Sequence, residues 1–153
     1  MKKTQPAAAI RILRITSLKH PDVLAISGRE PAPTPAIAAT VLSILKDIKA
    51  KGQTVFGLGA STKFNAVLQY CDITPELLPM IGEVNEDKFG CETPGSAIPI
   101  VPEKEIFALK PDYLVVGPYH FKDFLLGLPH VKKYLAAGGK LIIPLPSLEI
   151  VSD

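Results

Sequence analysis

The segment Val55-Phe-Gly-Leu-Gly-Ala-Ser-Thr-Lys-Phe-Asn65 limits the possible folds of this chain more than any other stretch. An apolar run passes through two glycines into a polar triplet, and apolar residues then recur at helical spacing. This order predicts a buried strand, a tight turn and a helix N-terminus, where unpaired backbone N–H groups converge. The segment therefore predicts the start of an α/β unit whose turn can bind an anion.

Lys63 leaves two interpretations of that turn open. The lysine falls in the first helical turn, where the helix dipole disfavours a cation. A phosphate bound at the turn would reverse this penalty, which favours a phosphate- or nucleotide-binding domain. The alternative is a solvated lysine beside an ordinary turn, which costs little because the side chain can extend into water.

Composition and charge narrow the class of protein. The chain has 153 residues, of which 47% are hydrophobic and 21% charged, as expected for one globular domain with a real core. A formal net charge of +2 without a basic run argues against nucleic-acid binding.

No apolar segment approaches the roughly 18 residues of a membrane span, and Arg11 and Arg14 interrupt a stretch that faintly mimics a signal peptide. We therefore expect a cytoplasmic protein without membrane contact.

The cysteines and histidines do not predict a metal site. Cys71 and Cys91 have no metal-ligand spacing with each other or with the three histidines. We expect ordinary thiols and no bound metal.

The first 33 residues differ from the rest and are predicted to be an N-terminal extension of a domain at 34–153. Apolar and charged residues partly alternate in Ile10–Ile15, which predicts an exposed or edge strand. Val23–Ile26 is predicted to be a second short strand, and the proline-rich segment 27–35 is predicted to be a linker. We expect the apolar residues of the extension to pack on the domain or on a second copy of the chain, which would give a homo-oligomer.

From Thr34 onward, helical and strand patterns alternate. Thr34 suits an N-cap and Pro35 the first helical position. Core strands are expected near 54–58, 79–84, 113–117 and 140–144, and helices from Pro35, from Ser61, and within 102–109 and 119–137. Continuously apolar strands between helices indicate parallel strands covered on both faces. The predicted fold is α/β, a three-layer Rossmann-like domain with a mostly parallel sheet.

In such a sheet, ligands bind outside the C-terminal ends of the strands. The segments Gly59–Lys63, Glu83–Asn85 and Gly117–His120 all fall at that edge. Glu83 lies where an acid would meet a ribose hydroxyl, although an ordinary strand-end acid is the alternative. The turn lacks the third glycine of the dinucleotide motif, because Thr62 occupies that position.

The sequence contains little that predicts catalysis. His120 could act as a general base or hydrogen-bond a ligand, but no acidic partner that would orient it is visible, and a simple helix-start residue is the alternative. The catalytic residues are therefore unknown.

Several motifs together resemble a known family. Val55–Cys71 resembles the start of the C-terminal domain of the sugar C-methyltransferases, S-adenosylmethionine-dependent enzymes that act on nucleotide-linked deoxysugars. The likeness covers roughly residues 36–151 and continues in order through Gly82-Glu-Val-Asn85, Lys88-Phe-Gly90, Thr93-Pro-Gly95, Ile98–Pro102, Pro118–Asp123 and Gly138–Pro146.

The resemblance implies a partial enzyme. The family joins a cysteine-rich zinc-binding domain, a methyltransferase domain and this Rossmann-like domain, which helps to hold the nucleotide-linked sugar. This chain shows neither the cysteine cluster nor the central domain with its Glu-His pair. The resemblance thus implies no cofactor within this chain, because S-adenosylmethionine would need a partner domain. We do not expect the chain to be a methyltransferase on its own.

Two departures from the family pattern affect the ligand edge. The family usually has Asp-Arg-Asn-Pro where this chain has Glu83–Glu86, and Trp-Asn where it has Tyr119-His120. Because of these changes, the sugar-nucleotide specificity of the family is not carried over to this chain. The candidate ligand-binding residues are Gly57, Gly59, Ala60, Ser61, Thr62, Lys63, Asn65, Glu83, Asn85, Tyr119 and His120.

Three functions remain open at this point. The first is a stand-alone module that binds a nucleotide-linked sugar, or another phosphorylated small molecule, and assists a separately encoded methyltransferase subunit. The second is an interaction or regulatory protein that kept the fold and lost the ligand. The third is a small NAD(P)-type nucleotide-dependent enzyme.

Overall fold

The computed structural model describes residues 11–14 and 33–153. Its strands are β1 (Arg11–Arg14), β2 (Val55–Leu58), β3 (Ile81–Glu83), β4 (Ile100–Pro102), β5 (Tyr113–Val116), β6 (Lys140–Ile143) and β7 (Glu149–Ser152). Its α-helices are α1 (Pro35–Ala50), α2 (Thr62–Tyr70), α3 (Glu103–Ala108), α4 (Lys122–Gly127) and α5 (Pro129–Ala136). The 3₁₀ turns η1 (Glu86–Lys88) and η2 (Tyr119–Phe121) precede β4 and α4.

The seven strands of the described residues form one sheet, in the order β1-β7-β6-β5-β2-β3-β4. Strands β2 to β6 run parallel, whereas β7 pairs antiparallel with β6 and β1 antiparallel with β7. Counted along the chain, the parallel strands have the order 3-2-1-4-5 of doubly wound folds. The predicted mostly parallel, Rossmann-like α/β domain is therefore confirmed.

Two glycines show how helices cover both faces of the sheet. Gly57 pairs with Ile81, and Gly82 pairs with the next residue of β2, so the two glycines face opposite sides. A Cβ on Gly57 would meet Phe64 of α2, and a Cβ on Gly82 would meet Ile106 of α3. Both of these large side chains are fully buried. Helices α2 and α3 therefore form separate layers.

The caps that begin the first two helices follow the local sequence. The Thr34 hydroxyl accepts a hydrogen bond from the Ile37 amide at 3.2 Å, and Pro35 occupies the first turn of α1. The Ser61 hydroxyl accepts from the Phe64 amide at 3.1 Å and caps α2. This second cap fixes where the helix begins at the edge of the sheet.

Most predicted elements lie where they were expected, and two strands were not predicted. The four predicted core strands and the helices are present, and β1 lies within the predicted edge strand. Strands β4 and β7 were missed because one has three residues and ends in proline, and the other follows a proline-rich loop. The predicted strand Val23–Ile26 and most of the predicted linker lie outside the described residues. The domain boundary near residue 33 stays a prediction.

A close contact between two turns joins the centre of the sheet. Strand β2 lies beside β5, and the Gly117 amide donates to the Leu58 carbonyl at 2.8 Å. A Cβ on Gly117 would lie 2.0 Å from the Gly59 carbonyl oxygen and 2.7 Å from the Phe64 ring. Since real side chains essentially never approach backbone this closely, glycine is required at position 117. Within the described residues, no helix is long and apolar enough to cross a membrane.

Gly117→Ala should destabilise the fold. The added methyl would push the two turns and the Phe64 ring apart, and such overpacking costs about 1–3 kcal/mol or more. Gly127→Ala in α4 is the matched control, because a Cβ there would meet nothing within 4 Å. Urea unfolding should show a large loss of unfolding free energy for Gly117→Ala. For Gly127→Ala the unfolding free energy should change by no more than about 0.5 kcal/mol. Equal stabilities would show that the turns can separate freely.

Candidate functional site

The strand order brings the three predicted ligand segments to one edge of the sheet. Strands β2, β3 and β5 are parallel neighbours, so the segments that follow them, Gly59–Lys63, Glu83–Asn85 and Gly117–His120, begin at the same edge. The strand order reverses between β2 and β5, which is the place where doubly wound folds bind ligands.

The glycines of the turn contact protein rather than open space. Gly59 has φ +84°, and a Cβ on it would lie 2.5 Å from Cδ of Pro118. Gly57 is buried within β2 and is covered by Phe64 and Ile81. The close contact with Pro118 and the positive φ are enough to require glycine at position 59. Both glycines are explained by the contacts of their own neighbours.

Glu83 is a buried carboxylate at the end of β3, with 7% of its surface exposed. Its Oε1 accepts hydrogen bonds from the amides of Val84 at 2.8 Å and Asn85 at 3.1 Å. Its Oε2 accepts from the Ala60 amide at 2.9 Å. The carboxylate thus connects the turn after β2 with the turn after β3, and both of its oxygens are already used by the protein.

These contacts determine the charge of Glu83. Burial alone would raise the pKa of this carboxyl, but the amides of Asn85, Val84 and Ala60 and the Lys88 ammonium outweigh burial and lower the pKa from its ordinary value of 4.5. The group is therefore ionised at neutral pH. It is held as an anion by the backbone rather than kept for a ligand.

Lys88 also contacts both turns. Its ammonium donates to the Ala60 carbonyl at 2.9 Å and lies 3.4 Å from Oε2 of Glu83. The side chain remains 41% exposed. Lys88 belongs to one of the motifs shared with the family, but its contact with the glycine turn was not predicted, because the 3₁₀ turn η1 that directs the lysine there has no clear local pattern.

The start of α2 retains polar groups at the edge. Ser61 is used as the cap, Thr62 is exposed, and Lys63 is partly buried in the first turn, as its position in the sequence predicted. The Asn65 side-chain oxygen is buried without a hydrogen-bond partner in the part of the chain that the structure describes. Buried acceptors of this kind are normally satisfied by protein, water or ligand.

The remaining predicted residues lie on either side of these turns. Asn85 caps η1 by accepting from the Asp87 amide at 3.1 Å, so its side chain supports local structure. Tyr119 is buried and its amide donates to the Gly117 carbonyl at 2.9 Å. His120 is exposed and lies in η2, consistent with a residue near a helix start.

A second buried acid lies near the same edge, and sequence reasoning missed it. Glu149 begins β7, is 4% exposed, and forms an ion pair with Lys122 at the start of α4. The Ser147 hydroxyl also donates to Glu149 at 3.2 Å. The two partners of this ion pair are 27 residues apart in sequence, and no local pattern announces their contact.

Among the described residues, no three His, Cys, Asp or Glu side chains lie close enough together to hold a metal ion.

Comparison with known proteins identifies the family. Residues 33–146 match the C-methyltransferase C-terminal domain family. The chain belongs to this family. It is also similar to the C-methyltransferase NovU of Streptomyces niveus, with 28% identity over 116 residues. That alignment covers 76% of this chain and 27% of NovU, so the chain spans about a quarter of the relative's length.

The hydrogen-bonded carboxylate of Glu83 predicts how the stability of the fold depends on pH. The lowered pKa means that Glu83 stabilises the fold above its ordinary value of 4.5, and that this contribution is lost as the pH falls through the lowered pKa. Glu83→Gln replaces one acceptor oxygen with an NH₂ group that opposes a backbone N–H. We expect a loss of about 1.5–3 kcal/mol at pH 7, and a weaker dependence of unfolding free energy on acid.

Glu86→Gln is the control, because it makes the same change at an exposed position three residues away. Denaturant unfolding at pH 7 and at several values below 4.5 would compare the two variants with the parent protein. The interpretation of Glu83 is contradicted if both glutamines leave the stability and its pH dependence unchanged.

Proposed function

We propose that this chain is a nucleotide-sugar-binding module that assists a separately encoded methyltransferase. The observation that carries the proposal is the start of α2 at the reversal of strand order, in a chain of the C-methyltransferase C-terminal domain family. A helix N-terminus at this point favours an anion such as a diphosphate. Thr62 and Lys63 supply a hydroxyl and a positive charge there.

The hydrogen bonds that Glu83 already accepts argue against an NAD(P)-type enzyme. In such enzymes an acid at the end of the second strand accepts the ribose hydroxyls. Here both carboxylate oxygens accept backbone amides, and freeing them would leave buried donors unpaired. We therefore favour a binding module over a hydride-transfer enzyme.

The same argument applies to S-adenosylmethionine, whose nucleoside also carries ribose hydroxyls. The residues at this edge do not fit a site for S-adenosylmethionine in which an acid accepts the ribose hydroxyls. Glu83 already accepts backbone amides, and Pro118 fills the space beside Gly59. The methyl donor would be bound by the partner methyltransferase. The proposed module supplies binding and positioning of the sugar nucleotide, in the cytoplasm.

The second candidate is an interaction or regulatory protein that kept the fold and lost the ligand. The internal use of the Ala60 amide and the contact between Gly59 and Pro118 favour it, since both reduce what the turn can offer an anion. Such a protein would act through a surface, in a homo-oligomer or with another subunit, and would not bind nucleotide.

Lys63→Ala tests the first candidate. Loss of a charge-assisted hydrogen bond to a phosphate should weaken binding by about 1.5–3 kcal/mol, roughly 10- to 150-fold. Isothermal titration with thymidine diphosphate glucose and uridine diphosphate glucose would measure this effect. The thermal midpoint of the variant, measured alongside, separates a loss of binding from a loss of stability.

Lys46→Ala, at an exposed position in α1, is the matched control and should bind like the parent protein. If neither sugar nucleotide binds the parent chain, the second candidate is favoured. If Lys63→Ala destabilises the fold and leaves affinity unchanged, Lys63 has a structural role and the anion site is wrongly assigned.

A further inference from the structure

A cavity of about 630 Å³ lies between α3 and α5 and reaches the opposite edge of the sheet. Its lining includes Pro111 and Asp112, which precede β5, and Gly138 and Gly139, which precede β6. These residues mark the N-terminal ends of the parallel strands, whereas α2 begins at the other edge. The volume is within the range of roughly 300–1,000 Å³ that is usual for small-molecule sites. The cavity is therefore large enough for a ligand and separate from the glycine turn.

Two aromatic rings that line the cavity are held in fixed positions. The Tyr134 ring lies against Gly139, since a Cβ on that glycine would be 2.3 Å from the ring. The Tyr134 hydroxyl donates to the Lys140 carbonyl at 3.2 Å and accepts from the Lys140 amide at 3.3 Å. Phe107 packs edge-on against Tyr134, with centroids 5.6 Å apart and planes at 82°. A flat apolar group can therefore pack on these rings without breaking a hydrogen bond.

Two lysines make this cavity positively charged. Lys110 and Lys133 line it and are exposed, and neither forms an ion pair with any residue that the structure describes. Asp112 also lines the cavity, but its Oδ2 accepts from the amide of Thr54 at 2.8 Å and from its hydroxyl at 3.1 Å. Charge complementarity therefore favours a ligand that carries an anionic group.

The alternative is that these lysines only stabilise helix ends, because the helix dipole favours cations near a C-terminus. However, the carbonyls of residues 105–107 in α3 accept amides from residues 109–110, and those of residues 133–135 in α5 accept amides from residues 137–139. Neither helix end therefore needs a lysine as its cap. Lys110 moreover has φ +49°, in the left-handed region where glycine is preferred.

We infer that this cavity binds a small planar organic acid, with its ring on Tyr134 and Phe107 and its anionic group by Lys110 and Lys133. The inference does not rest on the proposed function, because the site lies at the other edge of the sheet and requires no nucleotide. A ligand held there would contact α3 and α5 together, and it would stabilise the fold because it binds only the native state.

Fluorescence titration of the folded chain with two probes tests the inference. The first probe is 1-anilinonaphthalene-8-sulfonate, a planar aromatic anion, and the second is N-phenyl-1-naphthylamine, which has the same rings without the sulfonate. Lys133→Met should weaken binding of the anion about 3- to 10-fold, between the effects of exposed and of desolvated ion pairs, and leave binding of the neutral probe unchanged. Lys132→Met is the matched control, because this exposed lysine does not line the cavity.

Two further variants separate binding from stability. Lys110→Gly should weaken binding of the anion to a similar extent, while the thermal midpoint stays the same or rises, because glycine suits the left-handed backbone. Ala137→Phe should weaken binding of both probes, because Ala137 lines the cavity and is exposed, so a ring there would occupy the space. Ala136→Phe, at an exposed position outside the lining, is its control.

Three results would overturn the inference. The first is a parent chain without saturable binding of the anion. The second is equal binding of the anion by Ala137→Phe and Ala136→Phe, which would place the probe elsewhere on the protein. The third is a lower thermal midpoint of Lys133→Met with unchanged affinity for the anion, which would show that the lysine only stabilises the end of α5.

Discussion

The buried carboxylate of Glu83 fixes the geometry of the edge on which any function of this domain depends. It accepts amides from two different turns and lies near the Lys88 ammonium, so it joins the ends of β2 and β3 to η1. A buried charge is tolerable only when it is paired and hydrogen-bonded, and here the backbone itself supplies most of the pairing. The direction in which α2 leaves the sheet is thereby set before any ligand binds.

The glycine turn shows that one sequence pattern can have two physical causes. Glycine is needed where a ligand approaches the backbone, and equally where another part of the same chain does. In this domain the second cause is visible: Gly57 lies beneath Phe64, Gly59 faces Pro118, and Gly117 contacts the carbonyl of Gly59. The motif therefore predicted the strand, turn and helix correctly, because both causes require the same backbone. It says less about the ligand.

The parts of the fold that could be predicted are those encoded by neighbouring residues. The caps at Thr34 and Ser61 and the apolar runs of the central strands are local patterns, and the corresponding elements are present. Strand β4 could not be recognised, because three residues ending in proline form a strand only when β3 lies beside them. The contacts of Lys88 with the glycine turn and of Lys122 with Glu149 likewise join residues that only the complete fold brings together.

The hydrogen bonds and ion pairs that the polar groups near this edge already form decide where a ligand can bind. Glu83 and Glu149 are buried and each has a lysine nearby, and the Ala60 amide is used by the first of them. Recruiting these groups for a ligand would break contacts whose loss leaves buried donors and charges unpaired. Binding is therefore favoured where no such contact must be broken.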